Sequence, residues 1–232
     1  MFDASEPEDV ARLYAYRFPR TTHDQRIWLW KALYEGWFGR YVGEHDAVLE
    51  IAPGYCEFIN NVPASQERVG VDLNEETQRF AARGVVLHHV SAELAGDVLP
   101  ADHFDCVFVS NFFEHCQTRQ QLLLVLRVIH RAMKSSGKLL ILSPNYKHAV
   151  RAYFDYFDHH LPLTDRSMAE ALAIAGFDIA ESIAQTLPLS THGRLPQQRL
   201  LLRALVHAYL RLPVVWKLFG SQFFIVAHKR SP

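Results

Sequence analysis

From Asp46 onward the sequence alternates short apolar runs with longer stretches that carry helix signals, and this alternation limits the possible folds more than any other feature. "AVLEIA", "RVGVDL", "VVLHHV", "FDCVFVS" and "KLLILS" are each long enough for a strand and too short for a helix. Runs so uniformly apolar belong to strands buried on both faces, which predicts a mainly parallel sheet with helices above and below it. The clearest helix is "TRQQLLLVLRVIHRAMKSSG". Thr118 is its expected N-cap, Leu122, Val125, Leu126, Ile129 and Met133 its buried stripe, and Gly137 its left-handed C-cap.

Two helices are expected before the sheet. In "SEPEDVARLYAYRF" a capping box joins Ser5 to Glu8, and Pro7 sits in the first turn, so a helix should run from about residue 6 to 17. A second should span His23 to Val42, with Ile27, Trp30, Leu33, Trp37 and Tyr41 near one face as core packing. With 232 residues, 49% of them hydrophobic, the chain fits one domain. A net charge of −1 without a basic run argues against nucleic acid. Three cysteines without CxxC spacing argue against a disulfide framework or a zinc knuckle. The acidic start "MFDASEPEDV" lacks the apolar core of a signal peptide, and no apolar run reaches the length of a membrane span, so the chain reads as cytoplasmic. Thirteen histidines, some in pairs such as His88-His89 and His159-His160, raise the question of metal; surface or satisfied core histidines explain them more simply.

The stretch "AVLEIAPGYCEFIN", Ala47 to Asn60, reads as a strand, a short turn and a helix, the arrangement that binds a cofactor at the carboxyl end of a sheet. A dinucleotide fingerprint needs glycines where this chain has Ala52, Gly54 and Glu57, and a carboxylate at the helix mouth repels a pyrophosphate. NAD and FAD are therefore disfavoured. A cofactor with a positive centre and no phosphates suits Glu50 and Glu57, and Gly54 allows close approach of the backbone. S-adenosylmethionine is such a cofactor. Asp72, about 20 residues beyond Glu50, stands where an acid can hold ribose hydroxyls.

These residues resemble the class I S-adenosylmethionine-dependent methyltransferases. The resemblance covers about residues 46–180: "VLEIAPGYCEF" for the glycine-rich motif, "VGVDLN" for the ribose-binding strand end, and "FDCVFVSNFFEHC" for the fourth-strand motif. "LRVIHRAMKSSGKLLILSPN" and "LTDRSMAEALAIAGFDIAE" follow in register. It implies a Rossmann-like α/β fold with a seven-stranded, mainly parallel sheet, an antiparallel last strand and helices on both faces. "FDIAESI" and "QFFIVAHK" then match the sixth and seventh strands as an antiparallel pair. The expected organisation is a single domain: a helical cap at 1–45, a core at 46–187 and 220–230, and an inserted amphipathic segment at 188–219.

Carried over by position, the resemblance implies that Glu50, Ala52 and Gly54 line the methionine end of the cofactor. Asp72, with Leu73, takes the ribose, Ser91 and Ala92 lie beside the adenine, and Asn111 and Phe112 flank the cofactor and face the acceptor. Ala52 and Cys56 replace the outer glycines of the family motif, and Ser91 replaces its usual acid. Methyl transfer is an in-line displacement, so the protein aligns the nucleophile, excludes water and, for a hydroxyl, removes a proton. His115 in "FEHC" and His159 and His160 in "YFDHHLPLTD" are the general-base candidates, with His115 and His160 preferred. Asp155, Asp158 and His159 do not match the spread-out acidic set of metal-dependent catechol-type enzymes, so no metal is expected.

The inserted "LPQQRLLLRALVHAYLRLPVVWKLFG" pairs apolar positions with Arg199, Arg203, His207, Arg211 and Lys217. Such a basic amphipathic segment suits a membrane surface, a lid, a dimer contact or plain packing. The overall pattern resembles bacterial methyltransferases of glycans, surface polysaccharides and glycolipids, which implies O-methylation of a sugar hydroxyl or a related small-molecule or lipid-linked acceptor. The alternative from another class is a non-catalytic cofactor-binding or scaffolding protein, motivated by Ala52, Cys56 and Ser91.

Overall fold

The computed structural model describes residues 7–17, 23–64, 66–189 and 195–230. The helices are α1 (Pro7–Arg17), α2 (His23–Gly36), α3 (Arg119–Ala132), α4 (Tyr146–Ala149), α5 (Asp165–Ile174), α6 (Arg199–Leu210) and α7 (Pro213–Phe219). The strands are β1 (Val48–Ile51), β2 (Arg68–Val71), β3 (Val85–His88), β4 (Phe104–Ser110), β5 (Met133–Pro144), β6 (Phe177–Ile183) and β7 (Gln222–Lys229). They form one sheet in the order β3-β2-β1-β4-β5-β7-β6. Pairing is parallel from β3 through to β5, and β7 runs antiparallel to both β5 and β6.

The apolar runs have a direct cause, because successive side chains of one strand enter different cores. Leu49, Ile51, Val107, Val109, Leu139 and Ile141 pack against Leu122, Leu126 and Ile129 of α3 and Met168 and Leu172 of α5. Val48, Cys106, Phe108, Leu140 and Leu142 point the other way, toward Leu33, Trp37, Phe38 and Phe58. On that second face Phe58 stacks on Phe108 at 3.9 Å and Trp37 on Phe38 at 4.8 Å. Both faces are dry, so polar alternation is absent from the central strands.

Local departures from the sequence reading have physical reasons. The capping box at Ser5 lies outside the described residues. The second helix stops at Gly36 instead of Val42, and a 3-10 turn, Phe38–Tyr41, follows, swinging Phe38 into the core. Ile27 is 41% exposed, so the expected apolar stripe fails at its first position. Among the described residues, no α-helix lies between β1 and β2: the chain passes through turns and one 3-10 turn, Ile59–Asn61, before Pro63, which cannot donate to an extended helix. The connections after β2 and β3 likewise hold only 3-10 turns, Glu75–Arg79 and Ala95–Asp97. Gly137 is not a left-handed cap. α3 ends at Ala132, Met133 already pairs with Phe104, and Gly137 lies inside β5. A Cβ there would stand 2.9 Å from both Lys134 O and Phe104 O, where the β4/β5 register slips, so this position needs glycine for close backbone approach.

In the segment between β6 and β7, α6 lies on α2 through Leu202, which is 1% exposed, with Val206 and Leu210 packed beside it. Its other side leaves Leu201 and Leu205 exposed, Leu212 is exposed between the two helices, and α7 adds Val214, Leu218 and Phe219. Among the described residues, no helix is long and apolar enough to cross a membrane.

Candidate functional site

The carboxyl ends of β1, β2 and β4 open onto one cavity, as expected for a parallel sheet whose order reverses beside β1. The turn after β1 is shaped by alternate residues in the left-handed region: Ala52 at φ 54°, Gly54 at 55° and Cys56 at 59°. Ala52 and Cys56 thus adopt a conformation that normally favours glycine, at a cost of about 1–2 kcal/mol each. The turn is tied to β2 by Ala52 N donating to Val71 O at 2.8 Å. Asp72 completes the tie, since its Oδ2 accepts from Gly54 N at 2.9 Å and its Oδ1 from Asn74 N at 2.8 Å. Burial raises the Asp72 pKa, and these amide bonds oppose the rise.

Ala52, Gly54, Asp72, Leu73, Ser91, Ala92, Asn111, Phe112 and His115 all line this cavity. Glu50 does not. It is 4% exposed beneath the turn, where Oε2 accepts from Ile59 N at 2.9 Å. Burial pushes its carboxyl well above the usual range, against that bond, and the charges of Glu57 and Asp72 push the same way. Glu57 is also no open charge for a ligand, because Arg26 of α2 grips its Oε1 through Nε at 2.7 Å and Nη2 at 2.6 Å. His160 lies off the cavity wall, exposed, with its backbone N donating to Glu114 O at 2.8 Å. The neighbouring His159 is the buried one of the pair.

Sequence reasoning missed the cover. Val10, Leu13 and Tyr14 of α1 form one wall of the cavity. A Cβ on Gly54 would meet Tyr14 Oη at 2.8 Å, so glycine is favoured there by its φ and required by this ring. The Arg17 guanidinium pairs with Asp158 and stands 5.0 Å from the centre of the Tyr156 ring. The helical pattern of α1 was visible in the sequence; nothing there indicated which loop it would reach.

A second group of charged residues lies where β4 ends. His115 Nδ1 is 3.0 Å from Asp158 O and 3.1 Å from Asp158 Oδ2, which leaves Nε2 as the ring's other functional nitrogen. Burial alone would lower the His115 pKa, but the Asp158 hydrogen bond and the charges of Glu114 and Asp158 outweigh it, and the net shift is upward. Burial would raise the Asp158 carboxyl, yet His115 and Arg17 hold it well below the usual range. Glu114 is fully buried, and its Oε2 accepts from Ser143 Oγ at 2.9 Å. Desolvation raises its pKa, against the opposing charge of His115. His159 stacks on Tyr156 at 4.8 Å, and burial followed by the His115 charge lowers its pKa to about 3. It is therefore neutral near pH 7.

Comparison with known proteins agrees with this geometry. Residues 49–141 match the family model described as a methyltransferase domain. A solved S-adenosylmethionine-dependent methyltransferase from Archaeoglobus fulgidus shares 24% identity, covering 86% of this chain and 92% of its own, with a TM-score of 0.64. One from Mesorhizobium loti shares 13%, covering 85% and 98%, at 0.61. Another, from Thermotoga maritima, shares 15%, covering 94% and 98%, at 0.62. Among curated proteins, none matches this chain in sequence.

Proposed function

We propose that the chain moves a methyl group onto a hydroxyl oxygen, a reading supported by the match of residues 49–141 to a methyltransferase-domain model and by the fold shared with solved S-adenosylmethionine-dependent methyltransferases. The cofactor is S-adenosylmethionine. The observation that supports the reading most is the single cavity that joins the β1 turn and Asp72 at one end to the His115–Asp158 pair at the other. In this reading Ala52 and Gly54 offer backbone to the methionine end, while Glu50 holds the turn from beneath. Asp72 accepts from the ribose hydroxyls with lone pairs beyond those used by Gly54 and Asn74. Leu73, Ser91 and Ala92 border the adenosine, with Ser91 giving a neutral contact where an acid would be stronger. Asn111, held at φ 49°, and Phe112 separate cofactor from acceptor.

The reaction needs one proton acceptor. Asp158 fixes the His115 ring so that Nε2 can take the proton of the acceptor hydroxyl; bound S-adenosylmethionine would supply the methyl group and leave as S-adenosylhomocysteine. The proposed acceptor is a sugar hydroxyl, or a related small molecule or glycolipid of cell-surface glycan metabolism. The outer side of α6 and α7 supports a lipid-linked acceptor or a peripheral membrane contact. Leu201, Leu205, Val214 and Leu218 are exposed beside Arg199, Arg211 and Lys217, and residues 195–219 include no acidic side chain. The test is transfer of label from methyl-labelled S-adenosylmethionine to free sugars, lipid-linked sugars and amines. Labelled ether on a sugar, lost in His115→Ala, supports the proposal; label found only on amines refutes it.

A further inference from the structure

The group of residues that ends β4 contains more polar chemistry than a proton acceptor needs. Glu114, His115 and His159 each present a ligand atom within 4.8 Å of the other two. Two of the atoms there are buried without a hydrogen-bond partner, Glu114 Oε1 and His159 Nδ1, in residues only 0% and 8% exposed. A buried carboxylate oxygen and a buried imidazole nitrogen left unpaired are costly unless something satisfies both. His115 Nε2 lies 3.9 Å from Glu114 Oε1, too long for a hydrogen bond.

We propose that Glu114, His115 and His159 form a binding site for one divalent transition-metal ion of the zinc type, next to the cavity that His115 lines. Zinc bonds to nitrogen and oxygen at about 2.0–2.2 Å, which in a tetrahedron puts ligand atoms about 3.4 Å apart. The Glu114–His115 pair is already within about half an ångström of that spacing. One carboxylate and two imidazoles favour zinc, cobalt or iron over magnesium or calcium. Three protein ligands leave a position open, the pattern of a catalytic ion and not of a closed structural one.

The surrounding contacts support the same assignment. His115 offers Nε2 because Asp158 occupies Nδ1, and a carboxylate behind a ligating histidine fixes ring and tautomer. Asp158 is in turn held by Arg17. Glu114 offers Oε1 because Ser143 occupies Oε2. His159 is fixed between Tyr156 and Tyr153, both 4.8 Å away centre to centre. The site was hidden in the sequence because Glu114 and His115 follow β4 while His159 comes after β5, with no short motif to join them.

The inference deepens the hydroxyl-acceptor reading and rests on it for the ion's role, though not for its binding. With the ion in place His115 Nε2 would be a ligand instead of the proton acceptor, and an acceptor hydroxyl in the open position would be acidified by the ion, its proton leaving to solvent. The experiment is a titration of chelator-treated, full-length protein with cobalt(II), followed through its visible absorption, with zinc(II) then added as competitor. One equivalent of cobalt, displaced by zinc, is expected. His159→Ala and Glu114→Gln should each weaken binding by about tenfold or more. His103→Ala, at the opposite end of the sheet, should leave it unchanged. S-adenosylmethionine affinity, measured on each variant, shows that the fold survives. Absence of a one-equivalent site, or equal cobalt affinity in His159→Ala, overturns the proposal while the His115 base reading stands. Cobalt binding without any cofactor binding would instead remove the methyltransferase reading and keep the ion site.

Discussion

Gly54→Ala tests the meeting of the β1 turn with the α1 cover in one substitution. At φ 55° an alanine pays about 1–2 kcal/mol for the left-handed region, offset by about 0.4–1 kcal/mol from a less flexible unfolded chain. The net cost from the backbone is therefore about 1 kcal/mol, a strain the chain already tolerates at Ala52. The new methyl also enters the space of Tyr14, at 2.8 Å from Oη and 2.9 Å from Cε1. Overpacking of that kind adds about 1–3 kcal/mol, because either the ring or the turn must move. Gly54→Ala should thus cost about 2–4 kcal/mol in the native background and only about 1 kcal/mol in Tyr14→Ala. Urea denaturation of the four proteins of this double-mutant cycle gives the coupling. An equal cost of Gly54→Ala in both backgrounds would show that Tyr14 does not sit over the turn, and the account of α1 as a wall of the cavity would be wrong.

Other expectations follow from single contacts. Asp72→Ala should weaken S-adenosylmethionine binding by about 1–3 kcal/mol in calorimetry, through loss of charge-assisted bonds; unchanged affinity removes the ribose assignment. Arg26→Ala leaves Glu57 buried without its partner and should destabilise the protein by about 2 kcal/mol in denaturant, a value discounted for the partial exposure of Arg26. Val214→Glu with Leu218→Glu should abolish sedimentation with anionic lipid vesicles while leaving the folded stability within about 0.5 kcal/mol, since both side chains are exposed. Sedimentation of the native chain no better with anionic than with neutral vesicles would count against the membrane contact.

The sheet was legible because each central strand feeds two dry cores, and such a strand can only be written as a continuous apolar run. Thr118 was legible as a cap for a local reason, since its side chain accepts from Gln121 N three residues on. Gly137 misled because a glycine after an amphipathic run reads as a cap, whereas the contact that requires it, with Phe104 O, is distant in sequence. Glu57 misled in the same way, its partner Arg26 lying on another element. The carboxyl-end residues from Ala52 to Phe112 could be placed because strand order fixes where they emerge. The choice between His159 and His160 could not, because it depends on how the loop after α4 turns one ring toward Tyr153 and Tyr156 and leaves the other outside.

The most direct test of the central claim is calorimetric titration of the full-length chain with S-adenosylmethionine and, separately, with NAD. The account predicts one molecule of S-adenosylmethionine bound per chain, weaker binding in Asp72→Ala, and no heat from NAD. Binding of NAD alone would contradict it, and binding of neither would contradict it and leave the left-handed turn at Ala52 and Cys56 as the relic of a cofactor site in a scaffolding protein.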